Sequence, residues 1–240
     1  MISLFSKIFL DISDFFHKRK IITFLKKNIE QVNTFFDIGA HKGESINLFC
    51  ENFKINNIYS FEPSPINFDY LNLQFPKIEK KFNKTKISIY NFAFGTSSKE
   101  VEIKQLLDSS SSTIVQIDKN SDYFKKKSKF LFNNNENYFE IKKTKQITLD
   151  EFIESKKILK IDLMKIDTEG YEYFVLLGGK KNIQRIDYIL LEHHYHNMLR
   201  KNYTFNDIND YLVQNNFKKV FKAKMPFRKT FEYIYKNQTL

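Results

Sequence analysis

The sequence has one cysteine, no tryptophan and only four arginines among its 240 residues. With Cys50 as the sole thiol, an internal disulfide framework is excluded; the pattern suits a reducing compartment, and a cytoplasmic location is expected. Without tryptophan, optical measurements must lean on tyrosine. No apolar run is long enough to span a bilayer. A cleavable leader is not expected either: Asp11 and Asp14 interrupt the N-terminal apolar stretch, and no small-residue cleavage site follows.

The shortage of arginine also limits what the charge can mean. The formal net charge is +11, but the cations are thirty-five lysines beside Arg19, Arg185, Arg200 and Arg228. Guanidinium groups do most bidentate recognition of bases and phosphates, so no specific nucleic-acid partner is expected. A general attraction to anionic surfaces remains.

Hydrophobic residues make up 42% of the chain, which is enough for one large α/β domain with a proper core. Residues 1–30 read as an amphipathic helical extension, with Leu4, Phe5, Ile8, Phe9, Ile12, Phe15 and Phe16 at spacings of three and four. The adjoining His17-Lys18-Arg19-Lys20 suits peripheral contact with an anionic membrane, although packing across one end of a sheet is favoured. Residues 31–240 read as the main domain. Strands are expected near 35–38, 57–61, 87–93, 101–103, 158–166 and 188–191, with a final hairpin over 217–222 and 231–235. Helices are expected from 44 to about 52, from 66 to a stop at Pro76, from 171 to about 182, and over 205–216, with a further turn near Leu149-Asp150. The polar stretch near 106–137 is expected to be a loop insertion. Alternating strands and helices predict an open, mostly parallel sheet with helices on both faces.

The stretch most informative about chemistry is Phe35-Phe36-Asp37-Ile38-Gly39-Ala40-His41-Lys42-Gly43. A strand ending in an acid, then a glycine turn, then a helix start presents free N–H groups and a positive helix end to a ligand. No Lys-Ser/Thr pair follows the second glycine, so the turn is not a P-loop, and it lacks the full Gly-x-Gly-x-x-Gly of nicotinamide binders. Glu62 ends the second strand, where a carboxylate can chelate ribose hydroxyls. Asp37, Glu62, Asp167 and Glu192 all fall at expected strand carboxyl ends, the edge where open α/β sheets bind ligands.

Taken together, Phe36-Asp37-Ile38-Gly39-Ala40-His41-Lys42-Gly43, Phe61-Glu62-Pro63-Ser64, Asn91-Phe92-Ala93-Phe94-Gly95, Thr148-Leu149-Asp150 and Lys165-Ile166-Asp167-Thr168-Glu169-Gly170-Tyr171-Glu172 resemble the FkbM family of methyltransferases over roughly residues 30–235. The resemblance implies a Rossmann-like class I methyltransferase fold with a seven-stranded sheet, S-adenosylmethionine as cofactor, and O-methylation of a sugar, glycan or related small-molecule scaffold. It places Gly39, Ala40, His41 and Gly43 beside the methionine portion of the donor, with Asp37 on its ammonium group. Glu62 would take the ribose, and Asn91 and Ala93 would border the adenine. Asp167 and Glu169 would lie near the transferred methyl. His41 stands where the general methyltransferase pattern has its middle glycine.

Methyl transfer to a hydroxyl gains from positioning and from a proton acceptor. Asp167 is the first candidate for that acceptor or for the group that orients it, with cofactor or loop anchoring as the competing role. His193, His194 and His196 follow an expected strand, and His193 is taken as the histidine candidate. A divalent ion is an open alternative that is not favoured, because no standard ligand spacing is complete. Tyr171, Tyr173 and Tyr195 suit the rim of a sugar site or the edge of the core. Two other functions compete. A nucleic-acid methyltransferase is motivated by charge, but no Asn/Asp-Pro-Pro-aromatic segment is present; a non-catalytic module would keep the fold only to bind a partner or membrane.

Overall fold

The computed structural model describes residues 4–106, 111–131 and 139–239. The chain enters through a long helix, α1 (Leu4–Asn28), and begins the sheet with β1 (Val32–Ile38). There follow α2 (Glu44–Asn52), β2 (Ile55–Phe61), α3 (Pro65–Lys81) and β3 (Lys86–Tyr90). A side sheet is built from β4 (Ala93–Phe94), β5 (Lys99–Leu106), β6 (Ser112–Thr113) and β8 (Phe139–Ile147). Between them lie β7 (Gln116–Ile117) and α4 (Asp122–Leu131). The chain then returns through α5 (Leu149–Ser155), β9 (Ile161–Ile166), α6 (Glu172–Leu177), β10 (Ile186–His194) and β11 (Leu199–Arg200), which pairs with β7. It ends in α7 (Phe205–Gln214), β12 (Phe217–Lys224) and β13 (Thr230–Asn237).

The main sheet has seven strands in the order β12-β13-β10-β9-β1-β2-β3. Its pairs from β10 to β3 are parallel, while β13 runs antiparallel to both neighbours. From β1 the chain winds outward to β3, then returns to the other side of β1 with β9. The strand order therefore reverses between β1 and β9, the place where such sheets bind ligands.

Both sheet faces are apolar, as a two-sided parallel sheet requires. One core joins Phe36, Ile38 and Met164 of the sheet to Phe152 of α5, Val175 of α6 and Leu212 of α7. The opposite core joins Phe35, Ile58 and Leu163 to Leu25 of α1, Phe49 of α2 and Leu71 of α3. Successive residues of β1 thus serve opposite cores, the period-two rule applied to a buried strand.

Three sequence expectations change. The helix expected to stop at Pro76 runs through it to Lys81. Leu71 and Ile78, seven apart, are both buried in the same core, and their burial holds the helix on either side of the proline. Within the loop expected over 106–137, residues 107–110 and 132–138 lie outside the described residues, but α4 forms between them. Ser121 caps it, its hydroxyl accepting from the Phe124 N–H at 3.2 Å, and Phe124 is buried against Val115, Met198 and Leu199. The helix expected over 171–182 is only α6, followed by a short 3-10 turn (Ile183–Arg185).

The N-terminal helix packs on the edge of the sheet as favoured. Ile21, Ile22 and Leu25 are buried, and Phe24 meets Phe221 of β12 at 4.8 Å between ring centroids. The side chains of Leu4, Phe5, Ile8 and Phe9 lie outside the described residues. Among the described residues, no helix is long and apolar enough to cross a membrane.

Candidate active site

The carboxyl ends of β1, β2, β9 and β10 converge on the switch point. Gly39 leaves β1 at φ +85°, and a Cβ there would stand 1.8 Å from the Asp167 carbonyl oxygen. Only glycine fits that approach. The turn is clamped by backbone bonds: Gly39 and Ala40 N–H both donate to Phe61 O, at 2.9 and 3.0 Å, and Asp167 N–H donates to Ile38 O at 2.9 Å. His41 follows in the left-handed region at φ 51°, and Gly43 at φ +90° opens α2.

Asp37 is fully buried, and neither carboxylate oxygen receives a hydrogen bond. Sheet register puts it directly opposite Lys165 of β9, whose ammonium stands 3.5 Å from Oδ1 and 3.2 Å from Asp167 Oδ2. Burial pushes the Asp37 carboxyl from 3.8 up to about 6 against the pull of Lys165. Burial likewise opposes the charge on Lys165, but Asp167 and Asp37 outweigh it and hold the ammonium above its usual range. A fully buried carboxylate with spare acceptor capacity is costly, and a donor from outside the chain is the natural remedy.

Glu62 is anchored rather than bare. Oε2 accepts from His41 N–H at 2.8 Å and Oε1 from Ser64 N–H at 2.9 Å, the Asn67 side chain bonds the same carboxylate, and the acceptor capacity that remains faces the apolar cavity. Burial raises this carboxyl to about 7, opposed by those two N–H groups.

Two cavities meet here. One, of about 160 Å³, is mostly apolar, walled by Phe61, Phe92, Ala93, Phe94 and Ile103, with Glu62 and Tyr171 among its polar lining. The second, of about 550 Å³, is charged: Glu44, Lys165, Glu192 and Glu232 line it, together with Asp14, His17 and Lys18 from α1 and Arg228. Gly39, His41, Asp167 and Glu169 line both and so form the shared border.

Of the residues expected at the site, Gly39, His41, Glu62, Ala93, Asp167 and Glu169 line these cavities, while Asp37 and Gly43 lie behind the lining. Ala40 is buried in the core beneath the turn, and Asn91 does not reach the apolar cavity. Asn91 instead donates from Nδ2 to the Glu62 carbonyl at 2.8 Å, pinning the loop that carries Glu62. His193 is corrected outright: strand β10 continues past Leu191 to His194, so His193 points to the opposite face. There it packs against Tyr195 and Phe205, with Lys201 Nζ 3.2 Å from Nε2; burial, with Lys201, pushes its pKa down to about 3. Tyr195 bonds Tyr233 at 2.7 Å on that side, and Tyr173 packs on Tyr203 and Tyr211, so neither rims the cavities.

His194 takes the place expected of His193. Its Nε2 lies 3.1 Å from Glu169 Oε2 and 3.4 Å from Glu192 Oε1, while Nδ1 meets the Thr230 hydroxyl at 3.0 Å. Burial opposes its charge, yet Glu169 and Glu192 outweigh burial and raise it to about 10. Glu192 itself is raised well above the usual carboxylate range, by burial first and then by Asp167. Among the described residues, no group of three or more His, Cys, Asp or Glu is arranged to hold a metal ion.

Two further residues gain roles that sequence did not single out. Lys165 was visible only as a motif letter; strand pairing makes it the cation between two acids. Glu172, fully buried, fixes the loop after β9 by accepting from Gly170 N–H at 2.9 Å, Thr168 Oγ1 at 3.2 Å and the Tyr203 hydroxyl at 2.6 Å. Its three-residue offset from Glu169, which sits at φ 51°, was the available signal.

Comparison with known proteins agrees with this fold. The sequence profile described as Methyltransferase FkbM domain matches residues 37–219. A crystal structure of a methyltransferase FkbM from Methylobacillus flagellatus is similar at TM-score 0.57 and 14% identity, covering 86% of this chain and 43% of that one. The chain thus spans less than half the length of that relative. A magnesium protoporphyrin IX methyltransferase from Synechocystis with bound S-adenosylmethionine is similar at TM-score 0.53 and 8% identity, covering 99% of this chain and 86% of that one. No curated protein matches. The profile match spans most of the chain, from Asp37 in β1 to the start of β12, and on that ground the chain belongs to the FkbM family of S-adenosylmethionine-dependent methyltransferases.

Proposed function

We propose that the protein transfers a methyl group from S-adenosylmethionine to a hydroxyl of a polar, sugar-like or glycan acceptor. The observation that carries this reading is the pair of cavities, one apolar and one charged, that share Gly39, His41, Asp167 and Glu169 as a border.

The residues present fit the donor. Asp37 offers two unsatisfied buried oxygens to an ammonium, Glu62 offers lone pairs to ribose hydroxyls, and the Phe61-Phe92-Phe94 cavity suits a flat aromatic base. When bound, the donor supplies an electrophilic methyl on a sulfonium. Asp167, on the border, orients the acceptor oxygen and receives its proton as the carbon–oxygen bond forms; Lys165 holds that carboxylate in place at 3.2 Å. Glu169, Glu192 and the His194 cation between them supply acceptors and a donor for the other hydroxyls of the acceptor. This charged lining favours a polyol over an apolar scaffold.

The test is Asp167→Asn with donor affinity and turnover measured separately on a panel of mono- and oligosaccharides. Turnover falls at least about a hundredfold while donor affinity changes little. Normal turnover removes Asp167 from the chemistry, and methylation of RNA or DNA with none of sugars overturns the acceptor class.

A further inference from the structure

Helix α1 has apolar groups on two opposed sides, more than packing on the sheet requires. Its inner side buries Ile21, Ile22 and Leu25, and is held by a hydrogen bond between His17 and Glu232 and by Asp14 to Arg228 at 2.8 Å. On the outer side Ile12, Phe15 and Phe16 are 51%, 60% and 54% exposed, and the two rings touch edge to face. At 100° per residue these three lie on one face with Arg19, Lys20, Lys26 and Lys27, all exposed. Residues 12–28 hold five cations and one acid, Asp14, which is turned inward to Arg228. Edge strand β12 lies beside this helix and adds exposed Lys218 on the same side of the sheet.

An isolated apolar side chain on a surface needs no explanation, but an aromatic cluster framed by cations on a helix does. Aromatic rings that enter the headgroup boundary, with lysines that meet anionic headgroups, are the chemistry of a helix lying on a bilayer. The same helix walls the charged cavity through Asp14, His17, Lys18 and Ile21. We propose that the outer face of α1 docks on an anionic lipid bilayer and brings the mouth of the acceptor cavity to the membrane surface.

The test is co-sedimentation of the full chain with phosphatidylcholine vesicles, with and without phosphatidylglycerol, using wild type, Phe15→Ser/Phe16→Ser and Arg19→Gln/Lys20→Gln. The wild type pellets with the anionic vesicles and not the neutral ones, and rising salt weakens it. Each double variant pellets about tenfold less while its melting temperature and donor affinity stay at wild-type values, since these side chains touch neither core nor donor site. The proposal is overturned by no pelleting, by equal pelleting with neutral vesicles, or by undiminished pelleting of the Phe15→Ser/Phe16→Ser variant. It is also overturned if light scattering shows a dimer that this variant dissolves while vesicles pellet nothing, for then the face is an interface between two copies.

Discussion

Replacing Asp37 with asparagine is expected to make the ligand-free protein more stable and worse at binding its donor. The carboxylate is fully buried, without a hydrogen bond, and its pKa rises from 3.8 to about 6 despite Lys165. A raised acid pKa means that the folded state prefers the protonated form. Below pH 3.8 both states are protonated and nothing is lost; as pH climbs to about 6 the unfolded acid ionises first, and the penalty grows to a plateau above that. About two pKa units at 1.36 kcal/mol each give roughly 3 kcal/mol of destabilisation at pH 7.5. A buried asparagine amide is itself imperfectly satisfied and costs about 1–2 kcal/mol, so the net gain is about 1–2 kcal/mol. In a chain of this size that raises Tm by about 2–8 °C. Thermal melts from pH 4.5 to 8 should show the gain at neutral pH and its loss toward pH 4.5. Calorimetry with S-adenosylhomocysteine at pH 7.5 should show affinity weakened by roughly 1–3 kcal/mol, the scale of a lost charged hydrogen bond. A lower Tm at every pH, or a gain independent of pH, would refute the idea that the site stores an unmet charge for its ligand.

Glu62→Gln should weaken donor binding by about 1–3 kcal/mol while keeping the fold, because the amide oxygen still accepts one of the two loop N–H groups. In the wild type, donor affinity should rise with pH through about 7 as Glu62 becomes a full acceptor, and the Gln variant should lose that part of the profile in calorimetric titration. Gly39→Ala should destabilise the fold by roughly 2 kcal/mol or more, read from denaturant melts, because its Cβ meets the Asp167 carbonyl and φ is +85°. Glu172→Ala should cost about 2–4 kcal/mol in the same melts, since it strands the Gly170 N–H and the Tyr203 hydroxyl in the interior.

Local pattern was enough to determine much of this protein. Alternation of short apolar runs with amphipathic segments specified the parallel sheet, because a strand covered on both faces and a helix covered on one have different periods. Gly39, Gly43 and Glu62 marked the turn after β1, since positive φ and close backbone approach demand glycine and the strand-end carboxylate accepts from the turn's His41 N–H. What depended on neighbours distant in the chain could be decided only by packing. Pro76 stays inside a helix because Leu71 and Ile78 are buried in one core. Antiparallel pairing of His194 with Thr230 extends β10 by three residues beyond Leu191, and with a period of two that extension sends His193 into the core and His194 against Glu169 and Glu192 behind the cleft wall. Lys165 becomes the cation of the site only because parallel register sets it opposite Asp37. Sequence therefore named the acids that end the strands, while tertiary structure chose which basic groups meet them, because register and strand length are set by partners distant in the chain, such as Lys165 for Asp37 and Thr230 for His194.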